Sequence, residues 1–296
     1  MNAPLVSILT PSYNQARWLP DNLRSVACQS YPRIEQIVMD GGSEDGSPDI
    51  LRDAGESVRW RSEPDRGQSH ALNKAFAESK GELIGWLNSD DAYFGPGTVA
   101  SVVELFKRRP EIDVVYGHAA LVNADGLILQ MIWAPPFSYR LLRLHNFIIQ
   151  PTAFVRRTAL GAVVADEAYD SAMDRELWLR LGRDHSFARL DKVLAIDRHQ
   201  LARKTLAQPH LGKADTERLA ATYGVPHGRL AWTRRKALKI AFRLAGLRLL
   251  SQAAGPLAFD GIRDGRRRLA LRQMLARRAA MPSGETSGPH QGRLAS

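Results

Sequence analysis

One cysteine in 296 residues, Cys28, rules out an internal disulfide framework and any cysteine-rich metal centre. A reducing compartment is the simplest expectation. Also missing is an uninterrupted run of about 18 apolar residues, the kind that spans a bilayer. Met1 to Pro4 carries no basic region and the first apolar run stops at Thr10, so no signal peptide is expected. Cations are outnumbered early on: residues 1–200 hold 22 Lys and Arg against 26 Asp and Glu. Residues 201–296 hold 19 against 5, so the net charge of +10 belongs to the C-terminal third. A nucleic-acid partner is not expected from that charge. It lies away from the motif-rich part, without the interleaved aromatic and basic residues of a single-strand platform. A nucleotidyltransferase would want a triphosphate loop rich in Gly and Arg or Lys near the first strand, and T-P-S-Y-N-Q-A-R (10–17) does not supply one.

What is present is a repeat of strand, loop and helix. Val6 to Thr10 reads as a strand closed by Pro11, Ser12, Tyr13 and Asn14. Trp18, Leu19, Leu23, Val26 and Ala27 then recur at helical spacing. Ile34 to Met39 is a second strand, followed by a Gly- and Ser-rich loop at 40–47 whose backbone can approach a ligand closely. Val58 to Arg61, a helix over 68–79 and a strand from Leu83 to Leu87 continue the pattern. Such repetition predicts an α/β fold, a mainly parallel central sheet with helices on both faces. Further on, a helix is expected over 96–108, a strand at Val114 to Tyr116 and a hairpin around Ala124-Asp125-Gly126. Thr152 to Arg156 reads as a strand, Asp174 to Arg183 as an amphipathic helix, and Phe187 to Ile196 as more sheet. Residues 1–200 are expected to form one domain, 201–280 a basic helical extension and 281–296 a disordered tail.

The Leu83 strand ends abruptly in Asn88, Ser89, Asp90 and Asp91. Two adjacent carboxylates past the C-terminal end of a central strand sit where open α/β sheets bind ligands. They are costly together unless something positive neutralises them, and hard divalent ions prefer carboxylate oxygen.

T-P-S-Y-N (10–14), D-G-G-S-E-D-G-S (40–47), S-E-P-D-R-G-Q-S-H-A-L-N-K (62–74), W-L-N-S-D-D (86–91) and M-D-R-E-L-W-L-R-L (173–181) occur in this order. Together they resemble the family 2 glycosyltransferases, inverting enzymes of the GT-A fold, over roughly the first 200 residues. The resemblance implies a nucleotide-diphosphate sugar donor, UDP-sugar favoured, and a divalent metal, Mn²⁺ or Mg²⁺. It places Pro11, Ser12 and Tyr13 in the first nucleotide-contacting loop, Asp40 on the nucleoside, and Asp65 with Asn73 in the segment that closes over the nucleotide. Asp90 is implied near the ribose or metal, Asp91 as the direct metal ligand, and Asp174 as the catalytic base. In the closing segment A-I-D-R-H-Q-L-A-R-K-T (195–205), His199 is the implied contact near the diphosphate and metal. Three positions depart from the family pattern. Gly41 stands where a second acid is common, Asn88 where Asp is common, and Met173 where many relatives carry Glu. The implied activity is a hexosyltransferase of polysaccharide or glycoconjugate assembly, acting on a saccharide or lipid-linked acceptor. Its expected place is cytoplasmic, peripheral at the inner face of the membrane.

Structural roles compete for the same residues. By position alone Asp174 reads as a helix N-cap or first-turn acid, a reading that the motif context reverses; Asp40 also reads as a turn aspartate, and Trp86 and Trp178 as core aromatics. A degenerate, non-catalytic sugar-nucleotide binder of the same fold is the rival that Asn88 and Met173 keep open. In the C-terminal third, Arg234, Arg235, Lys236, Lys239, Arg243 and Arg248 interleave with Leu238, Ile240, Ala241, Leu244, Leu247 and Leu250. The two sets only partly separate on a helical wheel. With a second basic run at 263–278, residues 234–278 suggest docking on an anionic membrane, against an ordinary packed helix with a solvated basic face.

Overall fold

The computed structural model describes residues 3–199 and 209–250. Among these residues nine strands, with ranges given below, form one curled sheet in the order β3-β2-β1-β4-β8-β6-β9-β5, with β7 paired to β6. Its first half is the parallel layer that the sequence repeat predicts: β1 (Val6–Ser12), β2 (Ile34–Asp40), β3 (Arg59–Ser62) and β4 (Leu83–Trp86). Its second half is mixed. Here β8 (Phe154–Arg156) runs antiparallel between β4 and β6 (Val114–Asn123). β9 (Phe187–His199) runs parallel to β6, and β5 (Ala92–Tyr93) antiparallel to β9. The expected hairpin forms between β6 and β7 (Ile128–Ile132).

Helices cover the sheet because their apolar positions fall on one side. In α1 (Leu19–Ala27), Leu19 and Val26 are buried, and in α3 (Gln68–Glu78), Ala71, Leu72, Ala75 and Phe76 are. α2 (Ser47–Asp53) starts with Pro48 near its N-terminus, and α4 (Thr98–Arg108) buries Val99, Val102, Val103 and Phe106. Shorter helices α5 (Tyr139–Leu144) and α6 (Arg157–Leu160) precede α7 (Met173–Leu181), which buries Leu177, Trp178 and Leu181. Two further helices follow, α8 (Pro209–Tyr223) and α9 (Arg229–Gly246). They pack on the sheet domain: Leu219 and Val225 join the same buried cluster as Trp86, Trp178 and Tyr116. Residues 251–296, which hold the second basic run and the expected tail, lie outside the described residues.

Gly85 marks how tightly β4 is enclosed. A β-carbon there would lie 2.8 Å from the Tyr93 hydroxyl, 2.9 Å from Phe154 and 3.0 Å from Ile8. Overpacking a filled core costs about 1–3 kcal/mol, so Gly85→Ala is expected to lower the unfolding free energy by that amount, read as a lower urea midpoint with the slope unchanged. A midpoint equal to wild type would mean that this part of the core yields.

Candidate active site

At the C-terminal ends of β1 and β4, where the parallel layer meets the mixed one, a cavity of about 910 Å³ opens. Strand ends and loops build its first side: Pro11 and Ser12 close β1 with Tyr13 just after, Gly41 follows β2, and Asp65 precedes α3. Gly41 has a structural reason. A β-carbon there would sit 3.0 Å from an Asp65 carboxylate oxygen and 3.3 Å from the Tyr13 ring, so a side chain would push Asp65 away. Asp65 is held there by accepting the Gly67 N–H at 2.7 Å.

The acid loop after β4 supplies Asn88, Ser89, Asp90 and Asp91 to the cavity. Asp91 is 4 % exposed and accepts the Arg198 backbone N–H at 2.9 Å. Asn88 explains its departure from Asp. Its side-chain oxygen accepts from the Trp86 indole at 2.7 Å and from Gln68 Nε2 at 2.7 Å, and indole is a donor only, which fixes the amide orientation. Its nitrogen donates to Gln150 Oε1 at 2.9 Å and faces Asp91 Oδ2 at 3.4 Å. A carboxylate at 88 would lose both donors and set a third negative charge beside Asp90 and Asp91.

Asp174 comes from the first turn of α7 and lines the same cavity. Its Oδ1 accepts the Arg175 backbone N–H at 2.7 Å and its Oδ2 accepts from Asn146 Nδ2 at 2.9 Å. The loop before α7 is fixed from behind by Asp215 of α8. Its carboxylate accepts the Ser171 and Ala172 N–H groups at 2.7 and 2.9 Å and the Ser171 hydroxyl at 3.0 Å. Met173, in place of the common Glu, is buried and accepts from the Ser69 hydroxyl at 3.3 Å. Beside Asp174, burial and the charge of Arg235 bring Arg175 down to about 10, so its guanidinium is cationic at neutral pH. Burial, with Lys239, Arg175 and Arg235, brings His145 down to about 4, so it is neutral there.

Three lining residues, Ser12, Asn146 and Arg175, each keep a buried polar atom without a protein partner: Oγ, Oδ1 and Nε. Buried polar groups are normally paired, so such atoms at a cavity wall suit a polar ligand. Other residues singled out from sequence stand elsewhere. Asp40 is 1 % exposed, lies outside the lining, and accepts from Ser43 N–H, Ser43 Oγ and Ser62 Oγ at 2.8, 2.6 and 2.7 Å. Asn73 holds the 164–165 backbone, donating to the Ala165 carbonyl and accepting from Val164 and Ala165 N–H. His199 is exposed at the end of β9, outside the lining. Its neighbours Asp197 and Arg198 line the cavity instead. Sequence reading also passed over Asn146, Gln150 and Arg175. No signal in the segment around 117–170 marked the first two, and Arg175 was visible only as the neighbour of Asp174.

Arg198 ties four elements together. It is 3 % exposed and donates to the Asp90 and Ala124 carbonyls at 2.8 and 3.2 Å and to Asp21 at 3.1 Å. Asp21 is 35 % exposed, which softens the ion pair. Arg198→Ala is still expected to cost about 1–3 kcal/mol, because the partly buried Asp90 carbonyl loses its donor and the Ala124 carbonyl keeps only the Trp18 indole. Thermal denaturation reads this directly, and a stability loss below about 1 kcal/mol would show that water replaces the guanidinium.

Comparison with known proteins decides the family. The sequence profile described as glycosyl transferase family 2 matches residues 7–163, more than half of the chain. The chain belongs to glycosyl transferase family 2. It is 33% identical over 185 residues to an uncharacterized glycosyltransferase of Mycobacterium tuberculosis, covering 60% of this chain and 69% of that one. To an uncharacterized glycosyltransferase of Rickettsia bellii it is 28% identical over 203 residues, 65% of this chain and 29% of the other. Among solved structures, TarS of S. aureus in complex with UDP-GlcNAc superposes with a TM-score of 0.53 at 21% identity, over 66% of this chain and 58% of that one. The mannosyltransferase PcManGT from Pyrobaculum calidifontis, in complex with GDP-Man and Mn²⁺, gives 0.56 at 18% identity, over 94% and 81%. These likenesses carry the fold, GT-A. Within this family 2 chain the matched segment contains the 11–13 loop, Asp65 and the Asp90-Asp91 pair, and ends before Asp174.

Proposed function

We propose that the chain transfers a hexose from a nucleoside-diphosphate donor to an acceptor hydroxyl with inversion at the anomeric carbon, Asp174 acting as general base. A UDP-sugar is the favoured donor, and the acceptor is a saccharide or lipid-linked glycan in polysaccharide or glycoconjugate assembly. The observation that carries this reading is the convergence of Asp90, Asp91 and Asp174 on one cavity beside Tyr13 and Asp65. Complexes of UDP-GlcNAc and GDP-Man with GT-A neighbours support a nucleotide sugar as the ligand.

In the reaction the acceptor O–H proton passes to the Asp174 carboxylate while the acceptor oxygen bonds to the anomeric carbon. The bond from that carbon to the diphosphate oxygen breaks, and its electron pair leaves with the diphosphate. One displacement inverts the centre, whereas retention by double displacement needs a second carboxylate as nucleophile. Asn146 and the Arg175 N–H hold the Asp174 carboxylate in place for proton transfer. Asp91 and Asp90 are hard oxygen donors that fit Mn²⁺ or Mg²⁺. Among the described residues no group of three or more His, Cys, Asp or Glu is placed to hold an ion, so Asp90 and Asp91 are the residues that would hold it. Such an ion, when bound, supplies Lewis-acid stabilisation of the leaving diphosphate.

The test is proton NMR of the protein with α-linked UDP-glucose, UDP-GlcNAc and GDP-mannose in Mg²⁺. Slow donor hydrolysis is expected to release the β anomer first for the sugar that fits. Initial release of the α anomer would contradict inversion.

A further inference from the structure

We propose that the outward face of α9 is a docking surface for an anionic lipid bilayer. The incomplete separation of apolar and basic residues on the helical wheel arises because α9 has two apolar faces. One packs inward: Ala231, Leu238, Phe242 and Ala245 are buried or half-buried, and Gly246 lies against the Met131 carbonyl. Phe242 sits between the Trp133 and His145 rings at 5.6 and 5.7 Å. The helix continues in a 3-10 turn, Leu247–Leu249, whose Leu249 is 5 % exposed in the cluster with Met131 and Ile196.

The second face has no cover among the described residues. Ala237, Ile240, Leu244 and Leu247 follow one another at spacings of three and four and are all exposed. Of eight large apolar side chains that are exposed among the described residues, Ile240, Leu244 and Leu247 lie on this stripe, Leu230 and Trp232 are exposed on the first turn of the same helix, and Leu129 of β7 lies beside Leu247 and Arg243. Exposed apolar area concentrated in one patch marks an interaction surface.

Charge selects the partner. Residues 229–250 contain seven Lys and Arg and no acid. On the wheel Lys236, Lys239 and Arg243 border the apolar stripe on one side, and Arg234 and Arg248 on the other. Trp232, 55 % exposed beneath the Lys236 ammonium at 3.8 Å, is the aromatic type that sits at headgroup level. A second copy would bring like charge against like. The chain's own residues 251–296, with eight Arg against three acids, would do the same. An apolar stripe between cationic borders matches anionic headgroups over an acyl layer. None of the described helices is long and apolar enough to cross a membrane, so the contact is one of lying on the surface.

The experiment pelleting the full chain with vesicles distinguishes the occupants. Wild type is expected to bind vesicles of equal parts phosphatidylcholine and phosphatidylglycerol, not phosphatidylcholine alone, and to release as salt rises. Ile240→Glu with Leu244→Glu should weaken partition at least about ten-fold, and Lys236→Glu with Lys239→Glu by about ten-fold or more. Both pairs are exposed, so circular dichroism and melting should match wild type. Failure of wild type to bind anionic vesicles overturns the proposal. So does full binding by both variants, which moves the contact to residues beyond 250. A wild-type dimer that the Glu pair turns into monomer, without vesicle binding, assigns the face to a second copy and overturns it as well.

Discussion

Asp174→Asn is expected to lower transfer by about 10²–10⁴-fold, the range that a positioned base contributes, with donor affinity within about two-fold of wild type. The substitution is close to isosteric and the site can absorb it. An Asn oxygen still accepts the Arg175 N–H, and the new amide N–H meets Asn146, whose own Oδ1 has no protein partner. A flip of the Asn146 amide turns that oxygen toward the new donor, so folding should be preserved. Melting temperature and nucleotide affinity therefore serve as controls, and the rate as the readout. A variant retaining a tenth or more of the wild-type rate would remove Asp174 from the base role and make it a helix first-turn acid, favourable there for the helix dipole alone.

Asp91→Asn is expected to separate metal from nucleotide. In wild type, Mn²⁺ with UDP at about a hundred times their dissociation constants should stabilise the fold by about 2.7 kcal/mol, several degrees in melting temperature. The variant keeps an oxygen for the Arg198 N–H but sets its amide nitrogen against Asn88 Nδ2, so its own melting temperature without ligand is the reference for each shift. Its shift with UDP alone should persist, whereas the added shift from Mn²⁺ should vanish and transfer should drop by about 10²-fold or more. An undiminished Mn²⁺ increment would move the cation to other oxygens, with Asp90 and Asp197 the lining carboxylates to substitute next.

How much of this was legible beforehand differs between the two halves of the sheet. The parallel half was readable because each strand is a short apolar run closed by polar or Gly-rich residues, and Leu83 to Leu87 before Asn88-Ser89-Asp90-Asp91 is the plainest case. The mixed half was not. β9 spans thirteen residues with exposed Asp191 and Lys192 in its middle, so no single period marks it. β5 is two residues long and exists only through its pairing with β9. At the site, the Asp174 motif could be recognised, yet what orients it could not. Asn146 lies 28 positions away and Asp215 lies 44 positions from Ser171, and neither belongs to a local pattern. Position in a motif also did not reveal how Asp40 and Asn73 are engaged, since their hydrogen bonds go to loop backbone and serines. The two-faced character of α9 was hidden for a related reason: one helical wheel carried two apolar stripes, and only the packing separates them.

The central claim is that the cavity between the 11–13 loop, the Asp90-Asp91 pair and Asp174 binds a nucleoside diphosphate with a divalent cation. Calorimetric titration of UDP, dTDP, GDP and CMP, each with and without Mn²⁺, tests it most directly. One diphosphate, UDP first among them, should bind with micromolar affinity, tightening about ten-fold or more with Mn²⁺ and more strongly than CMP. Absence of binding by all four to the folded protein, in either condition, would contradict the account.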